Sequence, residues 1–454
     1  MKIAFIHPDL GIGGAERFTV DAAIGLQQLG HNVIIYTNHC DRSHCFEEIK
    51  KGILGVNVYG DKIPRKIFGK LSVFCAIIRQ LYLSLRLFFK IEKYDVIIMD
   101  VLPISIPLLR WKCLKIVFYC HFPDQLLAKR SNMLRRIYRI PFDNIEKMTI
   151  LMADKVLVNS YYTESVVRRT FLYMKDLSVL YPSINISEKE NGVEKPLLVI
   201  KRYKGNSHLH YILSINRFER KKNIDLAIKA YSQLKKDSNF NKCCLIIAGG
   251  YESRIKENVE YHNELVELCN NFSFISKTFM KPYEFPLDFS GYNVVFLLSI
   301  PTDLKNHLLQ NATILLYTPP YEHFGIVPLE AMFHETIVLA QDNGGPLETI
   351  DNGVTGWLKK SNENEWAKVL RNVLFEMNDN QRIQMGKRCK QKVISCFSRE
   401  KMAKTLELHI KTTKRYYKYD FIYLSIIFFI LIFSIYFLKN GIEFLGINRV
   451  ASSL

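Results

Sequence analysis

Ala312-Thr-Ile-Leu-Leu-Tyr-Thr-Pro-Pro-Tyr-Glu-His-Phe-Gly-Ile-Val-Pro-Leu-Glu-Ala331 carries a strand, a stop and a helix start in one stretch. Ala312–Leu316 is apolar enough for a buried strand, and Tyr317-Thr-Pro-Pro320 ends it. Pro328 then suits the first turn of a helix, where a missing N–H costs nothing. Strand, loop and helix make half a βαβ unit. Glu322 falls in the loop and Glu330 early in the helix, with seven residues between them. The unpaired N–H groups and the macrodipole of a helix start favour an anion such as phosphate. Two acids beside such a site point to a phosphorylated, polyhydroxylated ligand. Taken alone, the pair is equally compatible with a dipole-complementing Glu330 and a solvated Glu322.

Outward from this stretch the same pattern repeats. Ile3–His7, Val33–Thr37, Val96–Met99, Ile116–Cys120 and Lys155–Asn159 are short apolar runs, separated by amphipathic stretches such as Arg17–Leu29 and Leu71–Lys90. A second series runs through Tyr211–Ile215, Cys244–Ala248, Val294–Leu298, Thr313–Tyr317 and Ile337–Ala340, with the helical pattern Ile224–Leu234 among them. Alternation of this kind predicts parallel sheets, and the length of 454 residues predicts two cores. The fold class expected is therefore α/β, with two doubly wound Rossmann-like domains facing a cleft. The expected division is an N-terminal domain over 1–185, a linker over 186–207 where periodicity fades, and a second domain over 208–395. A C-terminal helix with a basic juxtamembrane segment follows over 396–419. Ligands of such sheets bind beyond the carboxyl ends of the strands. Asn271–Tyr292, with its aromatics, Pro282 and Pro286, is expected to be an irregular inserted loop.

Phe421–Leu438 contains 18 residues without a charge, rising about 27 Å as a helix against a hydrocarbon core of about 30 Å. It is expected to be a transmembrane segment. Lys411, Lys414, Arg415 and Lys418 precede it, so the positive-inside rule keeps the main body cytosolic. The chain starts with a strand-like run lacking the features of a signal peptide. Ten cysteines with no C-x-x-C pair fit a reducing compartment rather than a zinc site or a disulfide framework. The net charge of +18 calls for acidic partners. No nucleic-acid motif is present, which leaves phosphorylated substrates and an anionic membrane. Leu71–Lys90 and the basic, apolar segment Lys129–Arg139 are both candidates to lie on such a surface.

Several loops at strand ends carry the chemistry. Gly11-Ile-Gly-Gly-Ala-Glu16 follows the first strand and opens the first helix, so Gly13 and Gly14 allow close approach of backbone to a ligand. Glu16 breaks G-x-G-x-x-G and no clear acid ends the second strand, so the dinucleotide fingerprint fails. His121 follows a central strand. Arg217 and Lys222, in the loop after the first strand of the second domain, suit a diphosphate. Gly249 and Gly250 end another strand. The chain contains no D-x-D, so basic side chains and helix starts must serve as counter-charge. No metal ligand set is found, no cofactor is required, and Mg2+ stimulation has no support in the residues.

Gly13-Gly-Ala-Glu-Arg17, Cys120-His-Phe-Pro-Asp124, Ser214-Ile-Asn-Arg-Phe-Glu-Arg-Lys-Lys-Asn223, Ala248-Gly-Gly-Tyr251, Glu322–Glu330 and Gly344-Gly-Pro-Leu-Glu348 together resemble the retaining glycosyltransferases of the GT-B fold, family four. Tyr119–Asp124, Val158-Asn-Ser160, Leu180-Tyr-Pro-Ser183 and Tyr317-Thr-Pro319 narrow the likeness to the mannosyltransferases of the dolichol pathway. It spans roughly residues 1–405. The resemblance implies GDP-mannose as donor. It implies a dolichyl-diphosphate-linked GlcNAc2-mannose acceptor and α-1,3 then α-1,6 linkages, as in N-glycan precursor synthesis. It further implies placement at the endoplasmic reticulum membrane with the catalytic domains in the cytosol, and is compatible with a complex with other transferases of the pathway. Glu330 would bind the ribose, Glu322 the transferring mannose, Arg217 and Lys222 the diphosphate, and His121 the donor-sugar hydroxyls. Gly13, Gly14, Gly249, Gly250, Phe324, Gly325 and Ile326 would line the substrate. Retention is described for this fold as front-face attack assisted by the leaving phosphate, so no protein base is assigned.

Three other readings remain open from sequence. One is a glycosyltransferase of glycosylphosphatidylinositol synthesis, one a nicotinamide-dependent oxidoreductase, and one a non-catalytic membrane scaffold that keeps the same fold.

Overall fold

The computed structural model describes residues 1–67, 71–128, 130, 132–174, 176–184, 209–285 and 287–415. These fall into two compact units, the first made of Met1–Asn159, Glu164–Leu180 and the chain from Met402 on, the second of Ser160–Thr163 and Tyr181–Lys401. The expected linker 186–207 and the apolar stretch 421–438 lie outside the described residues. Among the described residues no helix is long and apolar enough to cross a membrane.

The first unit runs β1 (Lys2–Asp9), α1 (Gly14–Gln28), β2 (Asn32–His39), α2 (Glu47–Lys50), β3 (Gly55–Val58), α3 (Ser72–Phe88), β4 (Tyr94–Asp100), α4 (Ile106–Leu109), β5 (Cys113–Cys120), α5 (Asp124–Leu127), α6 (Met133–Ile150), β6 (Lys155–Val158), α7 (Tyr161–Thr170) and β7 (Leu177–Val179). Its sheet is parallel, in the order β3-β2-β1-β4-β5-β6-β7. Both faces are covered, which is why the strands read as continuous apolar runs. Ile3 and Phe5 enter one core while Ala4 and Ile6 enter the other, all at most 2% exposed.

The second unit continues with β8 (His210–Ile215), α8 (Asp225–Ser232), β9 (Cys243–Gly249), α9 (Lys256–Asn271), β10 (Ser276–Phe279), β11 (Val294–Leu298), α10 (Thr302–Asn311), β12 (Ile314–Tyr317), α11 (Ile326–Phe333), β13 (Ile337–Gln341), α12 (Pro346–Thr349), β14 (Gly356–Lys359), α13 (Glu363–Arg371) and α14 (Asp379–Phe397); the last helix, α15 (Arg399–Thr412), belongs from Met402 on to the first unit. Its sheet is also parallel, ordered β10-β11-β9-β8-β12-β13-β14. Trp366 is fully buried in its core.

Two expectations need correction. Asn271–Tyr292 is not irregular throughout, because α9 reaches Asn271 and Ser276–Phe279 pairs in register with Val294–Leu297. The pattern hid this strand because its residues are only partly buried, as befits the edge of a sheet. The C-terminal helix does not start at 396. Helix α14 ends at Phe397, Ser398 is extended, and α15 begins at Arg399. Met402, Leu406 and Ile410 of α15 fill the same core as Ile3 and Phe5 of the first unit, and Lys115 Nζ donates to the Ile410 carbonyl at 2.8 Å.

Candidate active site

In a parallel sheet all strands point the same way, so the carboxyl ends of β8, β9, β11 and β12 gather on one edge of the second unit. The loop after β8 brings Arg217 and Lys222 there, and the loop after β12 brings Glu322. Lys222 Nζ and Glu322 Oε2 form an ion pair of 2.5 Å, with the side chains 18% and 23% exposed. Thr318 Oγ1 donates to the Lys222 carbonyl at 2.8 Å, tying the two loops together. Asn223 ends the Lys222 turn in the left-handed region, at φ +52°, a conformation Asn tolerates. The other two basic residues of this loop are engaged elsewhere: Arg220 pairs with Glu264 and Glu260, and Lys221 with Glu219 at 2.8 Å. Arg217 extends into solvent, with Glu219 Oε1 at 3.5 Å.

Helix α11 starts at Gly325, whose φ of +88° requires glycine and turns the chain sharply out of the loop. Glu330 is the fifth residue of this eight-residue helix rather than a first-turn residue. Its Oε1 accepts from Lys305 Nζ at 2.7 Å, a partner on α10. Each glutamate of the pair is thus held by a lysine from a neighbouring loop or helix. Tyr317 lies beneath them, and its phenol is raised well above its ordinary pKa, first by burial and then by Glu322. Burial also lowers the pKa of His323, the residue beside Glu322.

One expected contact is structural instead. Phe324 is buried and stacks on Tyr181 at 5.7 Å between ring centroids, so only its backbone is available to a ligand. Ser299, just after β11, donates to the Tyr251 carbonyl at 2.5 Å and accepts from the Tyr251 N–H at 3.2 Å, which shapes the Gly249–Tyr251 turn. Gly249, at φ +148°, lies so close to β8 that an added Cβ would sit 1.9 Å from the Asn216 carbonyl oxygen. Gly249→Ala is therefore expected to lower the melting temperature by several degrees, read by thermal denaturation, because backbone rather than a flexible side chain must yield. Gly250 packs under the Arg217 side chain.

The first unit holds the remaining candidates. Gly13 caps the start of α1 with extended backbone, and the Glu16 carboxylate folds over it, 2.3 Å from where a Cβ would stand, while Gly14 is open. The acid that broke the dinucleotide fingerprint thus covers part of that turn. His121, one residue beyond β5, is held by a buried cluster. Its Nε2 lies 3.0 Å from Asp100 Oδ2, His7 Nδ1 lies 2.8 Å from Asp100 Oδ1, and Thr19 Oγ1 donates to Asp100 Oδ2 at 3.2 Å. Burial alone would push Asp100 up, but His7 and His121 outweigh it and hold the carboxyl far below its ordinary range. His7 is likewise raised, because Asp100 more than offsets its desolvation. Asp100 and His7 were identifiable in principle, since both end apolar strand runs where ligands dock. Lys305 offered no such signal.

This cluster predicts a pH dependence. A histidine with a raised folded pKa gives stability that is complete below its unfolded value of 6.5 and is lost as pH rises through the folded value. His262, His323 and His409 are lowered by burial, so their effect is complete above 6.5. Thermal stability is expected to fall as pH is raised from 6.5 to about 8, and Asp100→Asn should flatten that slope. A slope unchanged in the variant would contradict the coupling.

Two doubly wound parallel-sheet units have the architecture of the GT-B fold, and the family matches make the chain a glycosyltransferase of that class. Residues 12–188 match the model Glycosyltransferase Family 4, and 200–281 with 290–392 match Glycosyl transferases group 1. The interruption between 281 and 290 falls inside the segment expected as an insertion. The fold resembles sucrose-phosphate synthase from Thermosynechococcus elongatus (TM-score 0.66, 18% identity, 90% of this chain and 98% of that one). It also resembles a glycosyltransferase from Rickettsia africae (TM-score 0.64, 18% identity, 91% and 99%). Sequence likeness is far stronger to the alpha-1,3/1,6-mannosyltransferases ALG2. That of Candida albicans is 44% identical, over 89% of this chain and 97% of the relative, and that of Saccharomyces cerevisiae 44% identical, over 94% and 89%. The chain belongs to this family of alpha-1,3/1,6-mannosyltransferases within the family 4 glycosyltransferases.

Proposed function

We propose that this chain transfers mannose from GDP-mannose to a dolichyl-diphosphate-linked GlcNAc2-mannose acceptor, making α-1,3 and α-1,6 linkages. The observation that carries it is 44% identity to alpha-1,3/1,6-mannosyltransferases along nearly the whole chain. The Lys222–Glu322 and Lys305–Glu330 pairs supply chemistry that fits. In the reaction the bond from the mannose anomeric carbon to the GDP β-phosphate oxygen breaks. An acceptor hydroxyl oxygen bonds to the same carbon from the same face, and its proton passes to the departing phosphate. Charge builds on that phosphate. Arg217 and Lys222 would neutralise it, aided by the N-terminus of α11 at Gly325. Lys222 drawn to the diphosphate frees Glu322 Oε2 to accept a hydrogen bond from a mannose hydroxyl. Glu330, with Oε1 held by Lys305, keeps Oε2 for the ribose hydroxyls.

The membrane setting belongs to the same proposal. Phe421–Leu438 serves as the anchor, with Lys411, Lys414, Arg415 and Lys418 on the cytosolic side of the endoplasmic reticulum membrane. A lipid-linked acceptor and the +18 charge support this reading, as they do assembly with other transferases of the pathway. Replacing Arg217 and Glu322 together should reduce transfer from GDP-mannose to background. Transfer at the wild-type rate in that double variant would instead indicate a scaffold role.

A further inference from the structure

Helix α6 carries a face that the transfer chemistry does not use. Met133, Ile137, Ile140, Asn144, Met148 and Leu151 recur at helical spacing along its outer side. Met133, Leu134, Ile137, Ile140, Met148 and Leu151 are between 42% and 78% exposed, and Asn144 alone interrupts the row. Scattered exposed apolar residues are ordinary, whereas a row along a whole helix is not. Leu126 and Leu127 of α5, also exposed, adjoin it, since Arg139 on α6 pairs with Asp124 at 2.6 Å.

The charges of α6 are sorted. Asp143 pairs with Arg130 at 2.7 Å and with Arg139 at 2.9 Å. Glu146 accepts from the Asp124 and Gln125 N–H groups at 2.8 and 3.0 Å, and burial raises its pKa to about 7. Both acids of the helix are therefore turned to inner partners. The exposed charges beside the apolar row are Arg135, Arg136 and Lys147, all basic. An apolar stripe edged by cations, with both acids of its own helix turned inward and the half-exposed Asp124 of α5 neutralised by Arg139, is complementary to an anionic bilayer interface, where alkyl groups enter the acyl boundary and cations meet lipid phosphates. A soluble protein partner would not need that one-sided sorting.

We infer that the outer face of α6 lies in the plane of an anionic membrane surface, as a second lipid contact separate from the 421–438 segment. The contact itself is independent of the mannosyl reading, and only its activity readout rests on that reading.

The test uses the full chain with Ile137→Trp, bound to vesicles of phosphatidylcholine with about 30% phosphatidylserine. Lipids brominated in the acyl chain should quench the added fluorescence and shift it to the blue, less so in pure phosphatidylcholine. Ile383→Trp on α14 should remain unquenched. A chain that floats with the vesicles while Trp fluorescence from position 137 stays solvent-like would overturn the proposal, as would failure to bind vesicles. So would a blue shift already present without lipid, which would mean that a second copy or the C-terminal segment covers the face. In a second arm, Ile137→Glu with Ile140→Glu should lower transfer to a long-chain polyprenyl diphosphate acceptor in vesicles several-fold. Transfer to a short-chain, water-soluble acceptor should be unaltered. Equal losses on both acceptors would point to a folding defect and contradict the proposal.

Discussion

Glu322→Gln is expected to slow mannose transfer by about a hundred- to a thousandfold, the cost of removing one charged group aimed at a developing transition state. GDP binding should stay within a few-fold of wild type. The reason lies in the pairing. Glu322 is held by Lys222 at 2.5 Å and neighbours the buried Tyr317 phenol, so its carboxylate is fixed before any ligand arrives. A neutral amide at this position keeps the shape but no longer holds Lys222 by charge, and it is a weaker acceptor for a sugar hydroxyl. Single-turnover rates alongside GDP titration separate the two effects. A large loss of GDP affinity with the rate per bound donor intact would reverse the assignment.

Glu330→Gln should show the opposite pattern. With Glu330 proposed to bind the ribose, loss of its charge-assisted hydrogen bond costs about 1.5–3 kcal/mol, or roughly ten- to a hundredfold in GDP affinity. Once saturated with donor, the variant should transfer at a rate much nearer wild type. Lys305→Ala should weaken GDP binding less than Glu330→Gln, because Lys305 acts by orienting Glu330 through the 2.7 Å contact and not by touching the ribose. Equal effects in the two variants would mean that Lys305 itself meets the nucleotide.

Much of this was readable from the chain alone, because parallel strands buried on both faces leave long apolar runs. Ile3–His7 and Val294–Leu298 announce themselves in that way. Gly55–Val58, Leu177–Val179, Ser276–Phe279 and Gly356–Lys359 do not, since short edge or near-edge strands bury less and lose the signal. Motifs at strand ends located Arg217, Lys222, Glu322 and His121. What sequence could not supply was pairing. Lys305 lies in an unremarkable amphipathic helix, and only the fold sets it against Glu330. Phe324 looked like part of a binding loop, yet the loop turns it into the core, and Gly325 beside it is buried as well. The placement of α15 was equally hidden, because its pattern of Met402, Leu406 and Ile410 says that one face is buried but not in which unit.

Protein in membranes should be given labelled GDP-mannose and dolichyl-diphosphate chitobiose bearing one mannose, and the product linkages analysed. The product should carry α-linked mannose at the 3- and 6-positions, with retention of configuration. No transfer to this acceptor, together with transfer to a phosphatidylinositol glycolipid, would contradict the proposed function.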